Sequence, residues 1–527
     1  MNIGMTAHSK FKIQNSKLPV VYRWQLLPLL LLAALCVLTP AAFAGPSPTV
    51  PLDSWVYPAL EKLEGLGVID SALQGNRPWS RLEVGRQLVA VNPNLWVVPA
   101  GAELLERLRE EFAAEIGEQA TPPQESVRYL HLVDTVRVGL LYRDGDASTF
   151  PGVNAVQFAP DYNRSGRSAA EGANLEAGFT GAARYGLLLA DWEPLLEYGQ
   201  GEGGDLRLQG GGVTLSLGRV DLFAGRQELW WGQGRHGTLI LSNNARPLDM
   251  LRLSTPEARS LPWLFRYLGP FHFDLFVSRL EAERVVPEPY LGGMRLAIKP
   301  SSWFEIGASR TSIFGGKGRP SVGFGDFVEV VIGTNPPAGS SDNANSIAAL
   351  DARLRIAPLA GLELYGEFGG EDEANHFISK PAWLGGAFFP QLDANGRLAL
   401  RLEYANLSFS DNGPVWYRHS TYASGYTYNG RFLGHHAGGD SRDLFAELAW
   451  QYAADLDLAF SCDYERRGIS GPVEERHLQP GVEARWRYLP RHEVQLGYRY
   501  DQVRNFDRVS GDDRDLHLLA MEMRFEF

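Results

Sequence analysis

The sequence predicts an all-β transmembrane barrel of about 18 antiparallel strands, preceded by a small three-helix bundle. Three observations carry that expectation. From about Ser126 to the last residue, apolar and polar positions alternate with period two. Near the N-terminus a short apolar run has the shape of a secretory signal rather than of a spanning helix. At about 22 residues for each strand with its connection, the remaining roughly 400 residues make around 18 strands, an even number as single-chain bacterial barrels have.

The chain has 527 residues, of which 1–44 read as a presequence. Lys10, Lys12, Lys17 and Arg23 form a basic lead, Leu26 to Leu38 is apolar except for Pro28, and Ala42-Phe43-Ala44 offers small residues for cleavage. A spanning helix uses roughly 17 to 25 apolar residues, and this run is shorter. Met5 is a second candidate start, because the basic lead is long. Cys36 lies inside the apolar run and no Cys follows the cut, which argues against a lipid anchor.

The net charge of the whole chain is −12; the presequence holds four bases and no acid, so the remainder carries −16. Such a balance excludes the basic footprint that nucleic-acid binding needs. Cys462 is then the single cysteine, so neither an internal disulfide nor a four-cysteine zinc site can form. The eleven histidines are scattered without an HExxH motif, and no metal or cofactor is expected.

Residues 45–125 read as a helical bundle with its linker. Asp53 or Ser54 is placed to cap a helix through Trp55, Ala59, Leu60 and Leu63, stopped by Gly65 and Gly67. Ser80 with Glu83 three residues on forms a capping box for a second helix, which runs through Leu88 and Val89 to Pro93. Leu104, Leu105, Leu108, Phe112 and Ile116 mark a third from about Gly101 to Ile116. The stretch YPALEKLEGLGVI, Tyr57 to Ile69, followed by RPWSRLE, Arg77 to Glu83, resembles an S-layer-homology half-repeat. That resemblance implies a cell-wall polymer as partner; the alternative is a bundle that packs against something larger.

Residues 126–527 carry the strand pattern. At the end of the chain His517, Leu519, Met521, Met523, Phe525 and Phe527 alternate with Leu518, Ala520, Glu522, Arg524 and Glu526. Val494, Leu496, Tyr498 and Tyr500 repeat it, as do Val482, Ala484, Trp486 and Tyr488, with Leu489 to His492 as the turn between the two runs. Upstream it recurs in 213–219, 271–280, 294–298, 303–309, 352–356, 362–368, 398–404 and 444–450. A soluble sandwich would turn the charged face to water and the apolar face to a second sheet. In a membrane barrel the apolar face meets lipid and the charged face lines the lumen, which suits the secretory signal and the aromatics near the strand ends. The terminal Phe527 resembles the insertion signal of outer-membrane barrels. Short turns such as 356–360 and 489–492 suit the periplasmic side, while the long connections 315–346, 369–395 and 408–441 suit the outside or the lumen.

Two stretches concentrate hydrogen-bonding and aromatic groups. The last long connection holds Trp416, Tyr417, His419, Tyr422, Tyr426 and Tyr428 with Arg418 and Arg431, a set that can stack on sugar rings or pack a girdle or loop. The other is Arg226 to Leu253, in which GRQELWWGQGRHGTLILSNNARPL, Gly225 to Leu248, resembles the signature region of the Wzi family of capsule assembly proteins. The resemblance extends over most of the mature chain. It implies an outer-membrane barrel with a periplasmic helical bundle and no enzymatic activity, lectin-like in retaining or organising exported capsular or exopolysaccharide.

Candidate polysaccharide-binding residues are Arg226, Trp230, Trp231, Arg235, His236, Asn243, Asn244 and Arg246 here, and Trp416, Tyr417, Tyr422 and Tyr426 in the loop. Arg219, Arg226, Arg235 and Arg246 can grip a glycan in fork geometry or neutralise Asp205, Asp221, Glu228 and Asp249. Trp230 and Trp231, being adjacent, would face opposite sides of a regular strand, so only one could meet a glycan. Gly232 and Gly234 allow close backbone approach, and the Asn pair can cap a turn before Pro247. A hydrolase triad of Ser242, His236 and Asp249 can be written on paper but lacks the nucleophile-elbow context. The expected function is binding and assembly of exported polysaccharide, by a monomer that touches outer-membrane lipid; a substrate-specific porin or export channel and an outer-membrane hydrolase are the alternatives.

Overall fold

The structure, a computed structural model, describes residues 45–527 apart from 93, 95–96, 122–126, 151–156, 202, 321–343, 372–380 and 409–414. The presequence and parts of the long connections at 315–346, 369–395 and 408–441 lie outside the described residues.

Among the described residues, 18 long strands follow one another in chain order around a closed antiparallel barrel. The first, Arg128–Asp144, pairs with both Gly172–Tyr185 and the last, Arg514–Glu526, and so closes the ring. Closure leaves no strand edge, which a membrane span requires. No described helix is long and apolar enough to cross a membrane.

The alternation sorts the two faces. Leu496 and Tyr498, and likewise Leu519, stay exposed on the outside, whereas Asp501, Asp463 and Glu465 on the same wall point inward and are buried. Outside, His517 packs between Tyr498 and Tyr500. At the end with short turns the 3-10 segment Trp263–Leu268 exposes Trp263, Leu264 and Tyr267, an aromatic edge of the kind found at a membrane interface. The first and last strands also start and finish at this end, where the Phe527 N–H donates to the Asp134 carbonyl at 2.9 Å.

Four helical segments precede the barrel: α1 Val56–Gly65, α2 Arg81–Val89, α3 Pro99–Glu111 and α4 Ala113–Ala120. Three were expected; the third breaks at Phe112, whose backbone (φ −106, ψ 26) leaves the helix while its ring is buried in the bundle core. The Arg81 guanidinium covers that ring at 4.5 Å and spans the break by pairing with Glu111 at 2.8 Å and Glu115 at 2.6 Å. Half of the capping box forms: Ser80 Oγ accepts the Glu83 N–H at 3.0 Å, but the Glu83 carboxylate instead takes the Ala258 N–H and Arg86. Asp53 does not cap α1, because it lies 3.5 Å from each of Arg137, Arg167 and Arg524.

These contacts place the bundle inside the short-turn end of the lumen. Glu61 of α1 bridges Arg353 at 2.8 Å and Arg401 at 2.7 Å, and Glu64 pairs with Lys299. Further out, Arg184 meets Glu118 at 2.7 Å and Arg107 meets Glu493 at 3.0 Å. The residues resembling an S-layer repeat are engaged here: Tyr57, Glu61, Glu64, Arg77 and Trp79 are all buried.

Removing one partner of a buried charge pair strands the other and costs about 3 kcal/mol or more. Glu61→Ala is therefore expected to lower the temperature at which the folded form is lost on an SDS gel, whereas Arg109→Ala, at an exposed site on α3, leaves it unchanged. Equal stability of the two variants would contradict a bundle seated through luminal ion pairs.

Candidate functional site

Strands Asp221–Gln227 and Leu248–Ser254 are seven residues each and pair from Gln227↔Leu248 down to Asp221↔Ser254. Between them residues 228–247 leave the wall and fold into the lumen. Glycine permits the entry: Gly232 has φ +141, and a Cβ there would meet Glu367 Oε1 at 2.3 Å, while one on Gly234 would meet the Gly237 carbonyl at 2.0 Å.

Trp230–Trp231 forms a two-residue strand against Asn76–Arg77 of the N-terminal region, not against the wall. Both of its faces are therefore covered by protein, and the expectation of a regular wall strand on which one of the two tryptophans could meet a glycan is corrected: both are buried. Trp230 joins the bundle core and donates Nε1–H to the Gly234 carbonyl at 3.1 Å; Trp231, wholly buried, packs edge-on against Phe276 at 5.3 Å.

Wall carboxylates hold the inserted backbone. Glu367 accepts the N–H groups of Gly234 (2.9 Å) and Leu239 (2.8 Å), and Glu403 those of Arg235 (2.7 Å) and His236 (2.9 Å). The Gln233 amide donates to Glu305 at 2.9 Å and Asp351 at 2.8 Å and accepts from Arg353 at 3.0 Å.

From the long-loop end, residues 415–440 come down onto this segment. The Tyr417 hydroxyl donates to the Leu239 carbonyl at 2.8 Å and accepts the His435 N–H at 2.9 Å. Tyr426 shares a hydrogen bond with Thr311 at 2.8 Å, and Tyr422 donates to the Gly315 carbonyl at 3.1 Å. Trp416, Tyr417, Tyr422 and Tyr426 are at most 2% exposed, so they form the core of the cap and present no face to solvent. Asn243 and Asn244 are buried too; the Asn244 side chain donates to the Phe432 carbonyl at 3.0 Å, and the Asn243 carbonyl accepts the Ser165 N–H at 2.6 Å.

The arginines separate. Arg226 makes a two-point pair with Asp249 (2.8 and 2.6 Å) across partnered strand positions, on the face that also exposes Leu251. Arg235 lies within electrostatic reach of Glu61 and Arg77, deep in the lumen. Arg246 is exposed. The paper triad does not assemble: Ser242 donates to the Gly434 carbonyl at 2.6 Å, His236 meets Asp463 at 3.0 Å, and Asp249 holds Arg226 on the outer face.

Sequence reasoning missed a convergence around His236. His436, Asp443 and Asp463 join it, with four potential ligand atoms within 4.8 Å of one another. A signal was present in the run Gly434-His435-His436, adjacent histidines with Gly438 and Gly439 close behind, in the middle of a long loop.

Glu228, at the start of the insertion, accepts the Leu52 N–H at 2.9 Å and the Ser165 hydroxyl at 2.5 Å. Burial pushes its carboxyl up to about 7. The folded state thus keeps a proton that the unfolded chain releases nearer 4.5, so its contribution is present at low pH and is lost as pH rises from about 4.5 through 7. Glu228→Gln should gain stability relative to the unchanged protein between pH 5 and 8, by more than about 1 kcal/mol; a pH-independent difference would refute the assignment. Glu367→Ala unmakes two buried N–H acceptances, at about 1–3 kcal/mol each. Trypsin should then cut after Arg235 in the variant and not in the unchanged barrel.

Residues 143–518 match the family described as capsule assembly protein Wzi, more than half of the chain. An uncharacterised 55.8 kDa protein in the cps region of Klebsiella pneumoniae is 31% identical over 160 residues, 30% of this chain. The match spans about a third (32%) of that relative's length. The solved structure of Wzi, an outer-membrane protein involved in group 1 capsule assembly in Escherichia coli and described as a carbohydrate-binding β-barrel, is 21% identical. It aligns over 92% of this chain and 100% of its own with a TM-score of 0.69, which establishes the shared fold. OprD of Pseudomonas aeruginosa aligns over 77% of this chain and 96% of its own, at 13% identity and a TM-score of 0.45. A family match that covers both inserted segments and most of the wall settles the relationship: the chain belongs to the Wzi family of capsule assembly proteins.

Proposed function

We propose that this protein is an outer-membrane capsule assembly barrel that binds exported capsular or related exopolysaccharide and keeps it at the cell surface, without breaking or making bonds. The observation that carries this reading is a lumen filled from both ends. On the wall from Tyr290 to Arg467 the inward charges Arg295, Glu305, Asp351, Arg353, Glu363, Glu367, Arg401, Glu403 and Glu465 are each under 5% exposed. Of these, Glu305, Asp351, Arg353, Glu367, Arg401 and Glu403 hydrogen-bond to the N-terminal region or the inserted segment. That packing favours retention over a porin or an export channel, since a polymer would have to displace an interlocked core. The dispersal of Ser242, His236 and Asp249 weighs equally against a hydrolase.

In this reading residues 1–44 are removed on export, the bundle and the short turns lie in the periplasm, and the long connections face outward. Among the candidates Arg246 is exposed, within electrostatic reach of Glu197 and Arg207, and Arg226 stands at the rim. The buried aromatics shape the cap that presents them. The burial of Tyr57, Glu61 and Trp79 favours a seat in the barrel over a cell-wall polymer as their partner.

Deleting the gene should shift polysaccharide from the cell-bound to the released fraction, and an unchanged ratio would overturn the proposal. Complementation with Arg246→Ala should restore a correctly inserted barrel whose affinity for the cell's own polysaccharide falls about tenfold, the worth of one charge-assisted hydrogen bond. Unaltered affinity would move the binding site away from Arg246.

A further inference from the structure

Four side chains from separate parts of the chain meet where the inserted segment and the cap touch the wall. His236 comes from residues 228–247, His436 from the loop before Ser441–Ala453, Asp443 from that strand and Asp463 from Leu456–Arg467. All are more than nine-tenths buried. His236 Nε2 lies 3.0 Å from Asp463 Oδ2 and 3.7 Å from Asp443 Oδ2; His436 Nε2 lies 3.4 Å from Asp443 Oδ2 and 3.9 Å from Asp463 Oδ2. An ion bound tetrahedrally at about 2.0–2.1 Å sets its donors roughly 3.3 Å apart, so these separations surround one ion with small side-chain movements.

Hydrogen bonding among the described residues leaves part of the cluster unsatisfied. Among the described residues, neither ring nitrogen of His436 has a hydrogen-bond partner, and the same holds for Asp443 Oδ2 and Asp463 Oδ1. Glu465, 3.3 Å from His436 Nε2, is answered by Arg467 at 2.6 Å. Asp443 faces the imidazoles of His236, His436 and His435, the last at 3.6 Å, and Asp463 faces His236 and His436; among the described residues neither carboxylate pairs with a lysine or arginine, a deficit of positive charge that a bound cation would fill. Outer contacts orient the donors as they do in metal centres. The Tyr162 hydroxyl donates to Asp463 at 3.1 Å and its ring stacks on His436 at 4.0 Å, while His236 stacks on Phe445 at 3.8 Å.

We infer that His236, His436, Asp443 and Asp463 bind a divalent first-row transition-metal cation, Zn2+ being the one that matches two imidazoles with two carboxylates in a closed set. Calcium and magnesium are disfavoured, because they take six or more oxygen donors. With all four donors supplied by the protein the ion is structural. It fastens the inserted segment through His236 and the cap through His436 to two adjacent wall strands, and so locks plug and cap to the barrel independently of any glycan.

The test uses the full barrel in detergent, stripped with a chelator, freed of it and titrated with Zn2+ by calorimetry, with Ca2+ as comparison. One equivalent of Zn2+ per chain should bind, and binding should weaken by more than about tenfold in the double variant His236→Ala, His436→Ala. Zn2+ should also raise the temperature at which the unchanged barrel loses its folded form on an SDS gel. Where the double variant does not fold, Co2+ loaded into the unchanged barrel gives the decisive reading: an intense visible absorption marks tetrahedral nitrogen and oxygen ligation. Absence of stoichiometric Zn2+ uptake by the unchanged barrel, equal uptake by a folded variant, or the weak spectrum of hydrated Co2+ would each overturn the inference and leave the two carboxylates sharing a proton.

Discussion

A barrel wall that carries charge on its inner face needs a partner for every charge that water no longer reaches; many wall carboxylates pair with arginines of the same wall, as Asp274 does with Arg252 and Asp351 with Arg295, but four glutamates find theirs in the backbone of other segments. Glu305 takes the N–H groups of Gln74 and Gly75, Glu367 those of Gly234 and Leu239, Glu403 those of Arg235 and His236, and Glu371 that of Tyr417. The same hydrogen bonds satisfy irregular backbone that would otherwise be costly inside a membrane protein. Wall and filling are thus matched: these four glutamates and the inserted backbone supply one another's hydrogen-bond partners.

The filling is continuous. Asn76–Arg77 from the bundle side pairs with Trp230–Trp231, which leads to Leu239 beneath Tyr417 of the cap. Trp230 belongs to the bundle core and Trp231 to the luminal core, so one dipeptide joins the two. Cap, inserted segment and bundle thus form one chain of contacts through residues that are buried from solvent.

The wall was legible because alternation is local: Val482, Ala484, Trp486 and Tyr488 need only their own strand to declare an outer face. The filling was not, since period two says that Glu367 and Glu403 point inward but not whether water or backbone meets them. Trp230 and Trp231 read as wall residues because a pair of aromatics between strands has the composition of a strand. Their pairing with Asn76–Arg77, some 150 positions away in the chain, leaves no local trace. In the same way Tyr417, Tyr422 and Tyr426 have the chemistry of a sugar platform, and only tertiary contacts show their hydroxyls already occupied. Phe112 broke a helix that spacing alone carried to Ile116, because its ring was worth more in the bundle core than its backbone in the helix.

The seven-residue strands Asp221–Gln227 and Leu248–Ser254 stand between neighbours of 14 and 10 residues. Seven residues extend about 24 Å along a strand and, tilted as barrel strands are, roughly 18 Å across the membrane, less than the roughly 25 Å apolar band of an outer-membrane barrel. Lipid beside this part of the wall must therefore thin to match it, and the Arg226–Asp249 pair on its outer face sits where headgroups dip toward the membrane centre. By withdrawing residues 228–247 into its own interior the chain gives the surrounding bilayer a shallow side, fixed in direction relative to the cap.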